Sequence, residues 1–140
     1  MGGVARALDK QVVFCVGSFH YIDIKAMASE NAAHLVLSNH IYEFQKGVRN
    51  LVLFTLRKDL AQAAVDRLNR LGIDNLVQEA GDANVNIYFG RPQCIKAVSR
   101  FVSRPLYDLT PEEDFILGAL LGFDICLQCE RYCDRKKEAC

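Results

Sequence analysis

An excess of charge of either sign is missing from this sequence: 17 basic and 17 acidic side chains cancel. With no net field to favour them, nucleic acid and anionic lipid are not expected partners. No apolar run approaches the roughly 20 residues needed to span a bilayer, so no membrane partner is expected either. Internal repeats and low-complexity tracts are also lacking. No GxSxG, HExxH, Walker or GxGxxG string occurs, so no catalytic residue is nominated and a non-enzymatic role is expected. What is present is an ordinary globular balance in 140 residues, long enough for one domain to bury a core without disulfide staples.

The cysteines carry the chemical signal. There are six, Cys15, Cys94, Cys126, Cys129, Cys133 and Cys140, and four of them fall in the last fifteen residues. A disulfide framework would spread its cysteines along the chain and staple loops. The clustering reads instead as reduced thiols in the cytoplasm, available for metal or redox chemistry. Export has a partial outline: Arg6 and Lys10 before the apolar run Val12 to Phe19, and Ala26-Met27-Ala28 as a cleavage-like site. Against it, the run is short, contains Gly17, and is followed by His20, Asp23 and Lys25. Residues 1–33 show no clear period and read as an N-terminal extension ending in a small, polar linker, with Met27 as an alternative start.

The organised part spans residues 34–140 as a single domain. Leu35 to Phe44 is rich in β-formers and reads as a first strand, placing His40, Tyr42 and Phe44 on one face and Glu43 on the other. The continuous apolar run within Arg49 to Leu56 suits a central strand buried on both faces, hairpinned to the first. A helix follows from Arg57 to Leu71, with Leu60, Ala64, Leu68 and Leu71 on one side and Gly72 as its cap. Asn75 to Ala80 and the alternating Val85, Ile87 and Phe89 give two more strands. Pro92 opens a second helix. Thr110-Pro111-Glu112-Glu113 is a capping box, from which a third helix is expected to continue into the cysteine segment. The expected fold is therefore α+β, a two-layer sandwich in the order ββαββαα. Its four-stranded, mostly antiparallel sheet carries helices on one face.

The cysteine motif is Cys126-x2-Cys129-x3-Cys133-x6-Cys140. On a helix the first three share one stripe, and Cys126 and Cys133 lie roughly 10–11 Å apart along it. One zinc ion, with sulfur ligands at about 2.3 Å, does not easily draw in both ends of that stripe. A wider iron–sulfur cluster spans more of it, as does a frayed helix end that folds Cys133 and Cys140 back. Alternatively, Cys126 and Cys129 are small core residues and the other thiols incidental. A dithiol pair is a third option, but late in a helix the dipole opposes a thiolate. His40 could serve as ligand or acid–base group, or simply as a buried, hydrogen-bonded side chain. Gly90-Arg91-Pro92 stands where anions can bind, though a surface turn explains it better. Gly118 and Gly122, four apart, permit close helix packing within the domain or across a homodimer.

Three strings, HIYEFQKGVR at 40–49, LTPEEDFILGALLG at 109–122 and DICLQCERYC at 124–133, resemble a small bacterial family. It is the domain of unknown function numbered two thousand and twenty-three, and the resemblance covers about residues 34–137. It implies a compact α/β fold with Cys126, Cys129 and Cys133 in a shared motif, and a genetic neighbourhood of flavodoxin and ferrous-iron uptake. It supplies no catalytic residue. Together these features point to a metal- or iron–sulfur-binding accessory protein in redox or iron handling, with a flavodoxin as partner. Its metal ligands would be Cys126, Cys129, Cys133 and Cys140, holding an iron–sulfur cluster or zinc. The alternatives are a dimeric protein-interaction or regulatory module, and a dithiol oxidoreductase using Cys126 and Cys129.

Overall fold

The segment read as the first strand folds as a helix. In the computed structural model, which describes residues 29–138, α1 runs Glu30–Gln45 and begins inside the stretch read as a linker. Ser29 caps it, its Oγ accepting from the Ala32 N–H at 3.2 Å. Ala33, Leu37 and Ile41, spaced four apart, are buried together with His40, whereas Leu35 and Tyr42 are exposed. That is the helical period of 3.6, and over a capped 16-residue segment it overrides the β-propensity of Val36, Ile41 and Tyr42. His40 and Tyr42 therefore do not share a face.

β1 (Leu51–Arg57) is followed by α2 (Lys58–Arg70), β2 (Asp74–Ala80) and β3 (Asn84–Gly90). The left-handed Gly72, at φ +68°, ends α2 as its sequence position implies. Among the described residues the sheet has three strands in the order β1-β3-β2, and both pairings are antiparallel, with Leu53 opposite Tyr88 and Val77 opposite Ile87. β1 and β2 thus run in the same direction with β3 between them, and the expected four-stranded sheet is one strand short because that strand is α1.

Helices cover both faces of the sheet. Val52, Phe54, Leu56, Val85, Ile87 and Phe89 pack with α1 and α2. The alternate residues Leu51, Leu53 and Tyr88 pack on the other side, against elements that follow the sheet. These are α3 (Pro92–Val98), a 3-10 turn at Leu106–Asp108 and α4 (Pro111–Leu120). The fold is α+β in three layers rather than two. β1 is buried on both faces, as its apolar run requires, although it stands at an edge of the sheet.

A polar ladder crosses the second face. Thr55 donates to Asn86 at 2.7 Å, and Asn86 and Tyr88 both donate to Gln78 Oε1. Gln78 Nε2 in turn donates to the carbonyls of Val102 and Arg104, each at 2.7 Å, tying the loop after α3 to the sheet.

The capping box forms as expected: the Glu113 N–H donates to Thr110 Oγ1 at 3.2 Å, and the Thr110 N–H donates to Glu113 Oε2 at 2.9 Å. The helix it starts does not reach the cysteines. α4 stops at Leu120, Gly122 takes a left-handed conformation at φ +79°, and Asp124 Oδ1 accepts from the Leu127 N–H at 3.0 Å. A fifth helix, α5, then runs Ile125–Glu138. The order is α-β-α-β-β-α-α-α. Among the described residues no helix is long and apolar enough to cross a membrane.

Candidate functional site

α5 lies on α4, and its grip is polar. Arg131 makes a two-pronged pair with Asp114, Nε to Oδ2 at 2.6 Å and Nη2 to Oδ1 at 3.0 Å, and the Asp114 carboxylate is almost wholly buried. Arg135 approaches Oδ1 of the same carboxylate at 3.6 Å and donates to the Leu109 carbonyl at 2.8 Å. Lys136 pairs with Glu112 at 2.7 Å, and the Tyr132 ring sits 5.9 Å from that of Phe115. A Cβ on Gly118 would lie 2.1 Å from Gln128 Oε1, so the glycine makes room for that side chain. Close packing at Gly118 is thus used within the domain.

The charges at this contact follow from the geometry. Lys136, and to a lesser degree the Glu112 backbone N–H, hold the Glu112 carboxyl below its usual range. The Thr110 backbone N–H does the same to Glu113, with Arg104 adding to it.

The thiols lie away from this contact. Gln128, Arg131, Tyr132 and Arg135 form the partly buried face of α5, while Cys126, Cys129 and Cys133 are exposed and unbridged. At 3.6 residues per turn the two sets are centred roughly 140° apart around the helix. Cys126 and Cys129 are therefore not core residues. Cys94, on α3, is half-buried and packed beside the second core. Cys15 and Cys140 lie outside the described residues.

The break before α5 corrects a second expectation. Cys126 stands in the first turn of α5, not late in a longer helix. The helix dipole there is positive and favours negative charge, and Arg131, Arg135, Lys136 and Lys137 lie in the turns beyond.

His40 does not join the thiols. It is buried on α1, edge-on to Phe54 at 5.8 Å between ring centroids, among residues of the first core. The sheet separates that core from α4 and α5. Arg91 is tied to the residue just before β1, its side chain and its backbone N–H both donating to Asn50, so Gly90-Arg91-Pro92 is a structural connection. Among the described residues no three His, Cys, Asp or Glu side chains converge as a metal site. The stripe offers sulfur donors in adjacent pairs, Cys126 with Cys129 and Cys129 with Cys133, but its two ends are too far apart for one ion.

The sequence does not mark Asp114 and Arg131 as a pair. A signal existed, because Asp114 falls in line with Leu117, Gly118 and Leu121 on the apolar stripe of α4. A charge at such a position calls for a buried partner.

A separate open cleft of about 390 Å³ lies between α1 and α2, lined by residues that include Ser38, Tyr42, Arg67 and Arg70, with no cysteine among the described residues that line it.

Fold and site together define a small three-layer α+β protein that displays a row of thiols on a helix outside its core. Residues 35–135 match the family described as Protein of unknown function (DUF2023), and the chain belongs to that family. No curated protein matches the sequence.

Proposed function

We propose that this protein is a metal- or iron–sulfur-binding accessory protein, with Cys126, Cys129 and Cys133 as its sulfur ligands. One observation carries the reading: three unbridged thiols occupy one exposed stripe of α5, opposite the face that holds the helix in place. Free cysteine is among the residue types most often buried. Three on one exposed face, contributing nothing to packing, are best explained by what they bind.

The donor set suits a soft metal, since thiolates select zinc and iron–sulfur clusters over magnesium or calcium. Cys126 and Cys129 stand one turn apart on that stripe, close enough for one ion to take both. Such a centre supplies electron transfer if it is an iron–sulfur cluster, or structural cross-linking if it is zinc. Cys140 is the remaining cysteine of the motif and a further donor. Redox or iron handling beside a flavodoxin is the setting that the family resemblance suggests.

The test is anaerobic purification of the full chain, with an absorbance spectrum and metal analysis on fresh protein. Stoichiometric iron with visible charge-transfer bands, or stoichiometric zinc, is expected. A colourless protein free of both metals would end this reading.

A second reading gains from the position of Cys126 in the first turn of α5. A Cys126–Cys129 dithiol there would cycle between dithiol and disulfide. It predicts one reversible two-electron couple that Cys133→Ser leaves intact.

A further inference from the structure

We infer that a second copy of this chain completes the thiol site, its α5 packing antiparallel against α5 of the first. The inference rests on the metal-binding reading above and adds where the missing ligands come from.

The rise of the helix sets how far apart the sulfurs stand. Cys126, Cys129 and Cys133 are spaced three and four residues apart, so along the axis they sit at roughly 0, 4.5 and 10.5 Å. One zinc ion can take Cys126 with Cys129, but not Cys133 as well. No third described His, Cys, Asp or Glu side chain converges on either pair. The missing donors come either from Cys140, which would leave a zinc-bound monomer, or from a second copy of the chain.

A copy of α5 laid antiparallel across a two-fold axis midway along the stripe supplies them. The axis pairs residues whose numbers sum to 259. Cys126 then faces the partner's Cys133, and Cys133 faces the partner's Cys126, as an isologous contact requires. The spacing that defeats one helix therefore fits two. Each end of the contact gathers Cys126 and Cys129 from one chain and Cys133 of the partner subunit, giving two equivalent three-sulfur sites per dimer.

The surface is suited to the approach. Cysteine is small, so the stripe lets two helices come close. Ile125, beside the stripe, is 53% exposed and would be covered. The contact leaves the Asp114–Arg131 grip undisturbed, because that grip lies on the far side of α5. Each zinc(II) that binds displaces three thiol protons to solvent and forms three Zn–S bonds, with no change of oxidation state.

The test is complementation with zinc(II) as the probe, on reduced, metal-free full-length chains. One variant is Cys133→Ser, and the other is the double variant Cys126→Ser/Cys129→Ser. All three side chains are exposed, so both variants should fold, as circular dichroism will check. Wild type should take up two zinc ions per dimer and shift from monomer to dimer by sedimentation. Each variant alone should bind zinc at least tenfold more weakly. An equal mixture should recover one tight zinc per heterodimer, since one of its two sites has all three sulfurs. A wild type that holds zinc as a monomer, or a mixture that binds no better than its components, overturns the inference and leaves the metal reading standing. A wild type that takes up neither zinc nor iron removes the metal reading, and this inference falls with it.

Discussion

Asp114 occupies a position where the pattern of α4 calls for an apolar side chain, in line with Leu117 and Leu121. Its carboxylate is tolerated there because Arg131 meets both oxygens. Removing one member of a buried pair leaves the other uncompensated, at a cost of about 3 kcal/mol or more. Asp114→Asn is therefore expected to destabilise the docking of α5 by about that amount. The measurement is hydrogen exchange along α5, where protection should fall, while amides of β3 stay slow. Unchanged exchange in α5 would mean that the pair contributes nothing to docking. The oddity of Asp114 could be read in the sequence, but its partner could not. Arg131 lies 17 residues on and beyond a break in the helix, and its neighbours Arg135, Lys136 and Lys137 offer the same charge.

At the scale of elements, the helix boundaries decide most. The capping box at Thr110 was legible because its two hydrogen bonds need only residues three apart. The end of α4 was less so, since Gly118 and Gly122 look alike in sequence but do different things. Gly118 admits Gln128, whereas Gly122 turns the chain. α1 resembles a strand in sequence because its β-branched and aromatic residues mask the four-residue spacing of Ala33, Leu37 and Ile41.

The α4–α5 contact also carries a pH dependence. Glu112 and Glu113 have lowered pKa values in the folded protein. Below the ordinary glutamate value the unfolded chain binds protons that the folded chain still excludes. Their contribution is present at neutral pH and is lost as pH falls from about 4.5 through the lowered values. Thermal unfolding of the reduced protein at decreasing pH should show this loss, and Glu112→Gln/Glu113→Gln should flatten it. An identical pH profile in the double variant would remove the assignment. Both carboxylates are partly exposed, so the effect is modest and weakens with salt.

The whole molecule is built around a sheet with two buried faces. The apolar run Leu51 to Phe54 already called for cover on both sides, and a two-layer sandwich could not have supplied it. The third layer was hidden because α3, the 3-10 turn and α4 are short pieces whose apolar residues make one surface only once folded. Phe54, Leu68, Tyr88 and Leu117, from four elements, are all fully buried. α5 has no such anchor, and its Ile125 and Leu127 are exposed. Stability should therefore be graded, with amides of β3 exchanging only on global unfolding and those of α5 through a much smaller opening. Exchange in α5 as slow as in β3 would show that the molecule opens as one unit.

The outward set of the α5 thiols has a kinetic meaning. Because the face that fastens the helix is not the face that carries sulfur, the domain need not wait for a metal in order to fold. A metal held between two such helices would meet an incoming thiolate as the helices part, which is how ligands exchange at sulfur-bound ions. Its release would leave the core and the α4–α5 grip intact. Loading or emptying such a site would then ask neither domain to unfold.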